Sequence, residues 1–368
     1  MKKRNTDGVG KSVSGPSAGA QTLGKADERL LEKVVYRNLG ETRESVLVGP
    51  RRGFDNAVIR IDERKVMIVT TDPVSIIPAL GMEASAWLSV HLIASDYATS
   101  SAQPEYASFD FNLPVELRGG EAEQYLSAVG AECKELGISI VGGHTGTYPG
   151  AQFTVVGGGT IFGFCGADDY VDPSMGRVGD AVLMTKGAAI ETTATLANSF
   201  PSYTEERLGR TRARAAREYT YSCSVVKDAL VAASVGIRSE GVTSMHDATE
   251  GGVLGAMHEL ALSSGHAILA DPRGVHVPAE ASLLCSAFGI DPLSSLSEGT
   301  LLITCRGERV AEVKKRLTRN GIPVFNVGEV REGSGLWLLG PDGRKTPYRP
   351  VRDPFWAAYS RALKAGLT

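Results

Sequence analysis

The stretch Met245-His246-Asp247-Ala248-Thr249-Glu250-Gly251-Gly252-Val253 decides the reading of this 368-residue chain. A short polar run carries two carboxylates and a hydroxyl. Two glycines then allow positive φ or close backbone approach without a Cβ clash. Behind them Val253, Leu254, Met257, Leu260 and Ala261 recur at helical spacing. The pattern predicts a polar loop feeding a helix N-terminus, where free N–H groups and the macrodipole favour an anion. Read alone, it also fits a capped surface helix. Three more glycine- and aspartate-marked turns upstream favour the anion site.

Those turns carry aspartates at the ends of elements. Asp55 stands in Gly53-Phe54-Asp55-Asn56, before the predicted strand Ala57–Ile61. Asp72 stands in Thr71-Asp72-Pro73, after the predicted strand Val66–Val69, and Asp96 lies late in a helix predicted over 83–100. Together they can hold Mg²⁺, which prefers hard oxygen ligands and usually brings phosphates with it. Singly, each also suits an ordinary turn or cap. Gly142-Gly143-His144-Thr145 follows the short strand Ile138–Val141. A glycine pair there lets a ligand approach the backbone, and His144 is the ionisable group beside it.

One motif is rejected. Gly19 to Ala26 nearly spells a phosphate-binding P-loop, but no strand precedes it and Ala26 stands where a metal-holding Ser or Thr is required. Lys25 remains as a cation able to reach a phosphate.

Composition sets the class. With 42% hydrophobic and 22% charged residues the chain is a folded globular protein. Its 39 basic and 42 acidic residues give −3, which argues against a general nucleic-acid binder. Cys133, Cys165, Cys223, Cys285 and Cys305 form no C-x-x-C pair, so reduced core cysteines of a cytoplasmic protein are expected. No apolar run is long enough for a membrane span. Residues 1–24 are polar and rich in Gly and Ser, and are expected to be a flexible tail. The rest divides at the aperiodic segment Gly166–Asp180. The expected units are an N-terminal α/β domain over 25–168 and a C-terminal α+β domain over 176–368. Within the second, a long basic helical region is expected over about 204–234.

The ordered set Gly-x-Asp-x-Ala-Val, Thr-Asp-Pro, Ser-Asp, Gly-Gly-His-Thr and His-Asp-Ala-Thr-Glu-Gly-Gly resembles the aminoimidazole ribonucleotide (AIR) synthetase superfamily, the PurM-like fold. The nearest members are the hydrogenase-maturation dehydratase (HypE-like) and AIR synthase-related proteins. Gly24-Lys25, Gly179-Asp180 and Thr185-Lys186-Gly187 also look like theirs. The resemblance covers about residue 24 to the end. It implies a two-domain fold whose N-terminal sheet pairs across a homodimer, with ATP in the cleft near the dimer interface. It places Asp55, Asp72 and Asp96 on Mg²⁺ and phosphates. Gly142, Gly143 and Thr145 fall on the nucleotide loop, and Asp247, Thr249, Gly251 and Gly252 on the second-domain loop. The short strands 57–61 and 66–70 give the dimer a further motive, since they would otherwise leave sheet edges open.

The implied chemistry is transfer of the γ-phosphoryl group of ATP to an oxygen of a small substrate. Lys25 would stabilise the transferred group, and His144 or Asp247 would handle a substrate proton. The alternatives are a small-molecule kinase similar to thiamine-monophosphate kinase and a non-catalytic nucleotide-binding subunit. The chain departs from members of the superfamily at several positions. The dehydratase ends in a cysteine that carries its carbamoyl group, whereas here the last cysteine is Cys305. His144 stands where AIR synthetase and the kinase have an acidic residue.

Overall fold

The computed structural model describes residues 24–26 and 28–368. The expected tail and the rejected P-loop thus lie outside the described residues, apart from Gly24, Lys25 and Ala26. The chain divides into two compact units, one ending at Gly40 and one over Glu41–Thr368. In the first, α1 (Glu28–Lys33) is followed by a 3₁₀ turn over Val35–Arg37, and Lys25 is exposed. The second unit contains both mixed α/β halves.

The first half runs β1 (Val46–Val48), β2 (Ala57–Arg60), β3 (Lys65–Ser75), α2 (Gly81–Ala98), β4 (Tyr106–Pro114), α3 (Glu121–Glu135), β5 (Ser139–Tyr148) and β6 (Val155–Gly166). The strands form one sheet in the order β1-β2-β3-β6-β4-β5. Only β4 and β5 run parallel. Strand β3 outruns its expected end because Asp72 and Pro73 remain in register with Gly159 and Gly158 of β6. Proline is tolerated there because β2 pairs with β3 only as far as Val69, leaving a single neighbour at Pro73.

Helix α2 packs on this sheet through Ala84, Ala86, Val90, Ile93, Ala94 and Tyr97, all buried. The small residues on this face let helix and sheet approach closely. Each large apolar side chain so buried contributes about 1.5–3 kcal/mol.

The second half runs β7 (Ala181–Thr185), α4 (Ile190–Ser199), α5 (Pro201–Leu208), α6 (Arg210–Glu218), α7 (Val226–Ala233), β8 (Val242–Asp247), α8 (Gly252–Ser264), β9 (Ala267–Ala270), α9 (Ala279–Phe288), β10 (Leu301–Cys305), α10 (Val310–Arg319), β11 (Val324–Arg331), β12 (Gly335–Leu339), β13 (Lys345–Pro347) and α11 (Phe355–Lys364). Its sheet has the order β13-β12-β9-β11-β7-β10-β8. The long basic helical region expected over about 204–234 is built of α5, α6, a 3₁₀ turn over Tyr219–Ser222 and α7. Gly209, at φ +76 and ψ 156, breaks the first junction.

The two halves share one core. A continuous buried cluster joins Val66, Ile68, Ile93 and Ile161 of the first to Leu183, Val225, Met245 and Ile303 of the second. The buried hydroxyl of Ser95 on α2 accepts the Val225 N–H at 2.9 Å across the junction. The next residue along the chain is Asp96.

The sheet edges differ from expectation. Strands β2 and β3 are both paired within the sheet, and the open edges are β1 and the ten-residue β5.

Candidate active site

The seam between the halves collects carboxylates from six places. Asp55 precedes β2, Asp72 lies in β3, Asp96 near the end of α2, Glu191 in the first turn of α4, Asp247 at the end of β8, and Glu298 just before β10. Asn56 fixes the Asp55 turn by donating to the Asp96 carbonyl at 2.7 Å and to the Thr99 hydroxyl at 2.9 Å. The Thr70 hydroxyl donates to the Asp55 carbonyl at 2.7 Å.

These groups feel one another. Burial, then Asp247, Asp72, Asp55 and Glu298, push the Asp96 carboxyl well above the ordinary range. Burial, then Asp247 and Glu191, do the same to Glu298. Asp247 is raised to about 7 by burial and Asp55, against the opposing pull of His246. Glu191 is raised to about 8, chiefly by burial.

His246 is the cationic counterpart. Its Nδ1 lies 2.8 Å from Asp55 Oδ2 and its Nε2 lies 3.2 Å from Glu259 Oε2 on α8. Both ring nitrogens face acceptor-only carboxylates, so both carry protons. Burial works against that charge, but Asp55 and Glu259 outweigh it and hold the pKa well above the ordinary value. Arg52 extends the relay, its Nε 3.4 Å from Glu259 Oε1.

The donor set fits a divalent cation. Ligand atoms of Asp55, His246 and Asp247 lie within 4.8 Å of one another. Because both His246 nitrogens are protonated, only the two carboxylates of that trio have electron pairs to offer a cation. Asp247 is 0% exposed, and neither of its carboxylate oxygens has a hydrogen-bond partner among the described residues. Glu191 Oε2 and Glu298 Oε2 are likewise buried and unpartnered. Burying unpaired charge is expensive, and hard carboxylate oxygens are the ligands Mg²⁺ takes.

Of the residues singled out in the sequence, Asp55, Asp72, Asp96 and Asp247 therefore come together. Met245, His246 and Asp247 sit at the end of a buried strand rather than in a loop. The anion site expected at the α8 N-terminus is already filled from within the chain. The Gly251 N–H donates to Asp353 Oδ2 at 2.9 Å, and those of Gly252 and Leu254 donate to the Thr249 and Leu293 carbonyls. Gly251 and Gly252 are both left-handed, at φ +84 and +63. A Cβ on Gly252 would lie 2.7 Å from Ser295 backbone atoms. The glycines thus serve a tight turn, and Thr249 is half-buried beside it.

Gly142, Gly143, His144 and Thr145 are not a loop but residues of the exposed edge strand β5. Strands β6 and β4 separate β5 from β3, so the chain's own fold does not bring them to the carboxylates. His144 Nε2 is 2.7 Å from the Tyr148 hydroxyl. Gly143, at φ +146, faces the Phe109 backbone so closely that no Cβ would fit.

Sequence reasoning missed His246, Glu259, Glu191 and Glu298 as members of the site. His246 was legible only as a neighbour of Asp247. The other three stand in segments that read as ordinary helix or turn.

The AIR synthase related protein family matches this chain over most of its length, its N-terminal domain over residues 53–179 and its C-terminal domain over 177–338. The chain belongs to that family and is an enzyme of the AIR synthetase superfamily. A carbamoyl dehydratase HypE of Cupriavidus necator is 26% identical over 264 residues, covering 69% of this chain and 70% of that protein. The crystal structure of the Escherichia coli hydrogenase maturation protein HypE superposes with a TM-score of 0.67 at 23% identity, covering 85% of this chain and 95% of that one. A structure named as AaThiL complexed with AMPPCP and TMP superposes with a TM-score of 0.66 at 18% identity, covering 90% and 99%. Both likenesses are of the two-domain PurM-like fold. Among the described residues no helix is long and apolar enough to cross a membrane.

Proposed function

We propose that this protein is an ATP- and Mg²⁺-dependent enzyme that transfers the γ-phosphoryl group to an oxygen of a small substrate, making an amide or carbonyl oxygen a leaving group. The observation that carries the reading is the seam of mutually repelling carboxylates with unpartnered buried oxygens. The HypE relative and the fold shared with a nucleotide-bound structure support it.

In this reading Asp55, Asp72 and Asp96 hold the metal, with His246 orienting Asp55. Mg²⁺ supplies neutralisation of charge on the phosphates. Asp247, with a pKa near neutrality, receives a substrate proton. Thr249 offers the phosphates the hydroxyl of the second-domain turn. From the resemblance, Lys25 stabilises the transferred group. The acceptor oxygen attacks phosphorus as the bond to ADP breaks, so positioning carries most of the catalysis.

The protein acts as a homodimer, with β5 pairing against a second copy. Ile140, Val141 and Tyr148 on that edge are exposed. Gly142, Gly143, His144 and Thr145 would then serve the nucleotide across the dimer. The cysteines, all free, suit a reducing cytoplasm.

Calorimetric titration with Mg·ATP tests the reading. Unchanged affinity in both Asp72→Asn and Asp96→Asn would falsify it. The likeness to AaThiL favours a second reading, a small-molecule kinase. A stable phosphorylated product identifies the kinase, and release of inorganic phosphate identifies activated-oxygen chemistry. Nucleotide binding with no turnover on any acceptor would instead leave a non-catalytic subunit.

A further inference from the structure

The turn after Asp247 has no cap of its own. Its N-cap position is Gly251, which offers no side-chain acceptor, and its two consecutive glycines are left-handed, with the Gly252 N–H bond to the Thr249 carbonyl at 3.1 Å as its hydrogen bond within the turn. A side-chain restraint comes from 102 residues downstream. Asp353 is 7% exposed and uses both carboxylate oxygens. Oδ2 accepts from Gly251 N–H at 2.9 Å, and Oδ1 accepts from Phe355 N–H, at the start of α11, at 2.8 Å. One carboxylate thereby serves the N-termini of two helices, where negative charge is favoured. A second tie lies just beyond, where the Trp356 indole N–H donates to Glu250 Oε1 at 3.2 Å.

This strap has a rigid anchor. Phe355, Ala358 and Ala362 of α11 are buried in a cluster with Leu196, Phe200 and Phe288. It follows the matched span of the family's C-terminal domain, which ends at residue 338.

We infer that Asp353 is a positioning residue: it pins the 249–252 turn so that Asp247 and Thr249 are held at the carboxylate seam for Mg·ATP. The inference rests on the proposed Mg·ATP reading. It also closes the α8 N-terminus to phosphate, because the chain's own carboxylate occupies it.

The test compares the full-length wild-type protein with Asp353→Asn and Trp356→Phe. Asparagine keeps the size of the side chain but cannot accept at both positions, and phenylalanine keeps an aromatic ring but loses the donor. Three readouts are taken: Mg·ATP affinity by calorimetry, melting temperature without nucleotide, and hydrogen exchange of peptides spanning 247–257. For Asp353→Asn the expected result is about tenfold weaker Mg·ATP binding, with faster exchange confined to 247–257. Trp356→Phe should show the same pattern at about threefold. A lower melting temperature with Mg·ATP affinity within twofold of wild type would mean a merely structural role and overturn the inference. If Asp353→Asn does not fold, Trp356→Phe decides alone, and wild-type affinity and exchange in it overturn the inference. Failure of the wild-type protein itself to bind Mg·ATP would sink the nucleotide reading instead. In that case exchange at 247–257 still reports whether the strap pins the turn.

Discussion

His246 Nδ1 sits 2.8 Å from Asp55 Oδ2, joining the last strand residues before the 249–252 turn to the first acidic turn of the other half, 191 positions away. Glu259 holds the opposite nitrogen at 3.2 Å. The imidazolium therefore serves two buried carboxylates at once, and it aims the Asp55 oxygens by a bond that rotation of the aspartate alone would break.

Replacing this histidine should be costly. His246→Ala leaves Asp55 and Glu259 facing each other without their shared cation. Breaking a buried ion pair by removing one partner typically costs about 3–5 kcal/mol. Urea unfolding of the metal-free protein should show a loss of that order. A change below about 1 kcal/mol would show that the bridge contributes little net stability.

Asp247→Asn should act in opposite directions on stability and binding. The wild-type carboxylate is buried with both oxygens unpartnered, so removing its charge relieves a desolvation penalty. The metal-free variant should melt at a higher temperature than wild type. Its Mg·ATP affinity should fall about 10–100-fold, the range seen when support of a metal site is lost. Parallel calorimetry and thermal melts read both quantities, and a fall in both would contradict the account.

Stability should depend on pH in a definite sense. Asp247 and Glu191 have folded pKa values raised to about 7 and about 8 from ordinary carboxylate values. The folded state then holds more protons than the unfolded one between roughly pH 4 and 8, so stability falls as pH rises through that window. His246, also raised, contributes with the same sign, its stabilisation being lost as pH passes its folded value. Melting temperatures of the metal-free protein should decline from about pH 5 to pH 8, and saturating Mg²⁺ should flatten the decline. A melting temperature that rises over that range without metal would contradict the raised values.

The β5 edge predicts the assembly. Val141 is 56% exposed and sits at the register break between β4 and β5. Val141→Lys places a charge on the open edge, the device by which sheets avoid pairing with neighbours. Light scattering should give a dimer for wild type and a monomer for the variant, with unchanged circular dichroism. A monomeric wild type at micromolar concentration would end the dimer proposal.

Much of the fold was legible because its elements are short, periodic and punctuated by glycine. Strand β2 and helices α2 and α8 fall where period and turn residues predict them. The misreadings share a cause. Pro73, the Gly142–Gly143 pair and the polar 245–247 run carry loop chemistry, yet each is held in a strand by cross-strand pairing that local sequence does not encode. The four aspartates of the site are legible because each stands beside glycine, proline or a polar run that reads in the sequence as an element end, although Asp72 lies within β3. Glu191 and Glu298 are not, because Glu298 comes beside Asp247 and Glu191 only once α4 and the segment before β10 pack against β8. His246 was passed over for the same reason: its partners stand 191 and 13 positions away.

The shared core beneath the seam limits how this enzyme can move. Val225 hangs on Ser95 by a buried hydrogen bond, and apolar packing runs unbroken from Ile68 to Ile303. Opening the halves like a clamshell would tear that core and separate Asp96 from Asp247. Traffic of reactants must therefore pass through surface turns rather than through hinge motion. The two halves are also inseparable as folding partners: neither would survive excision, because each completes the other's interior.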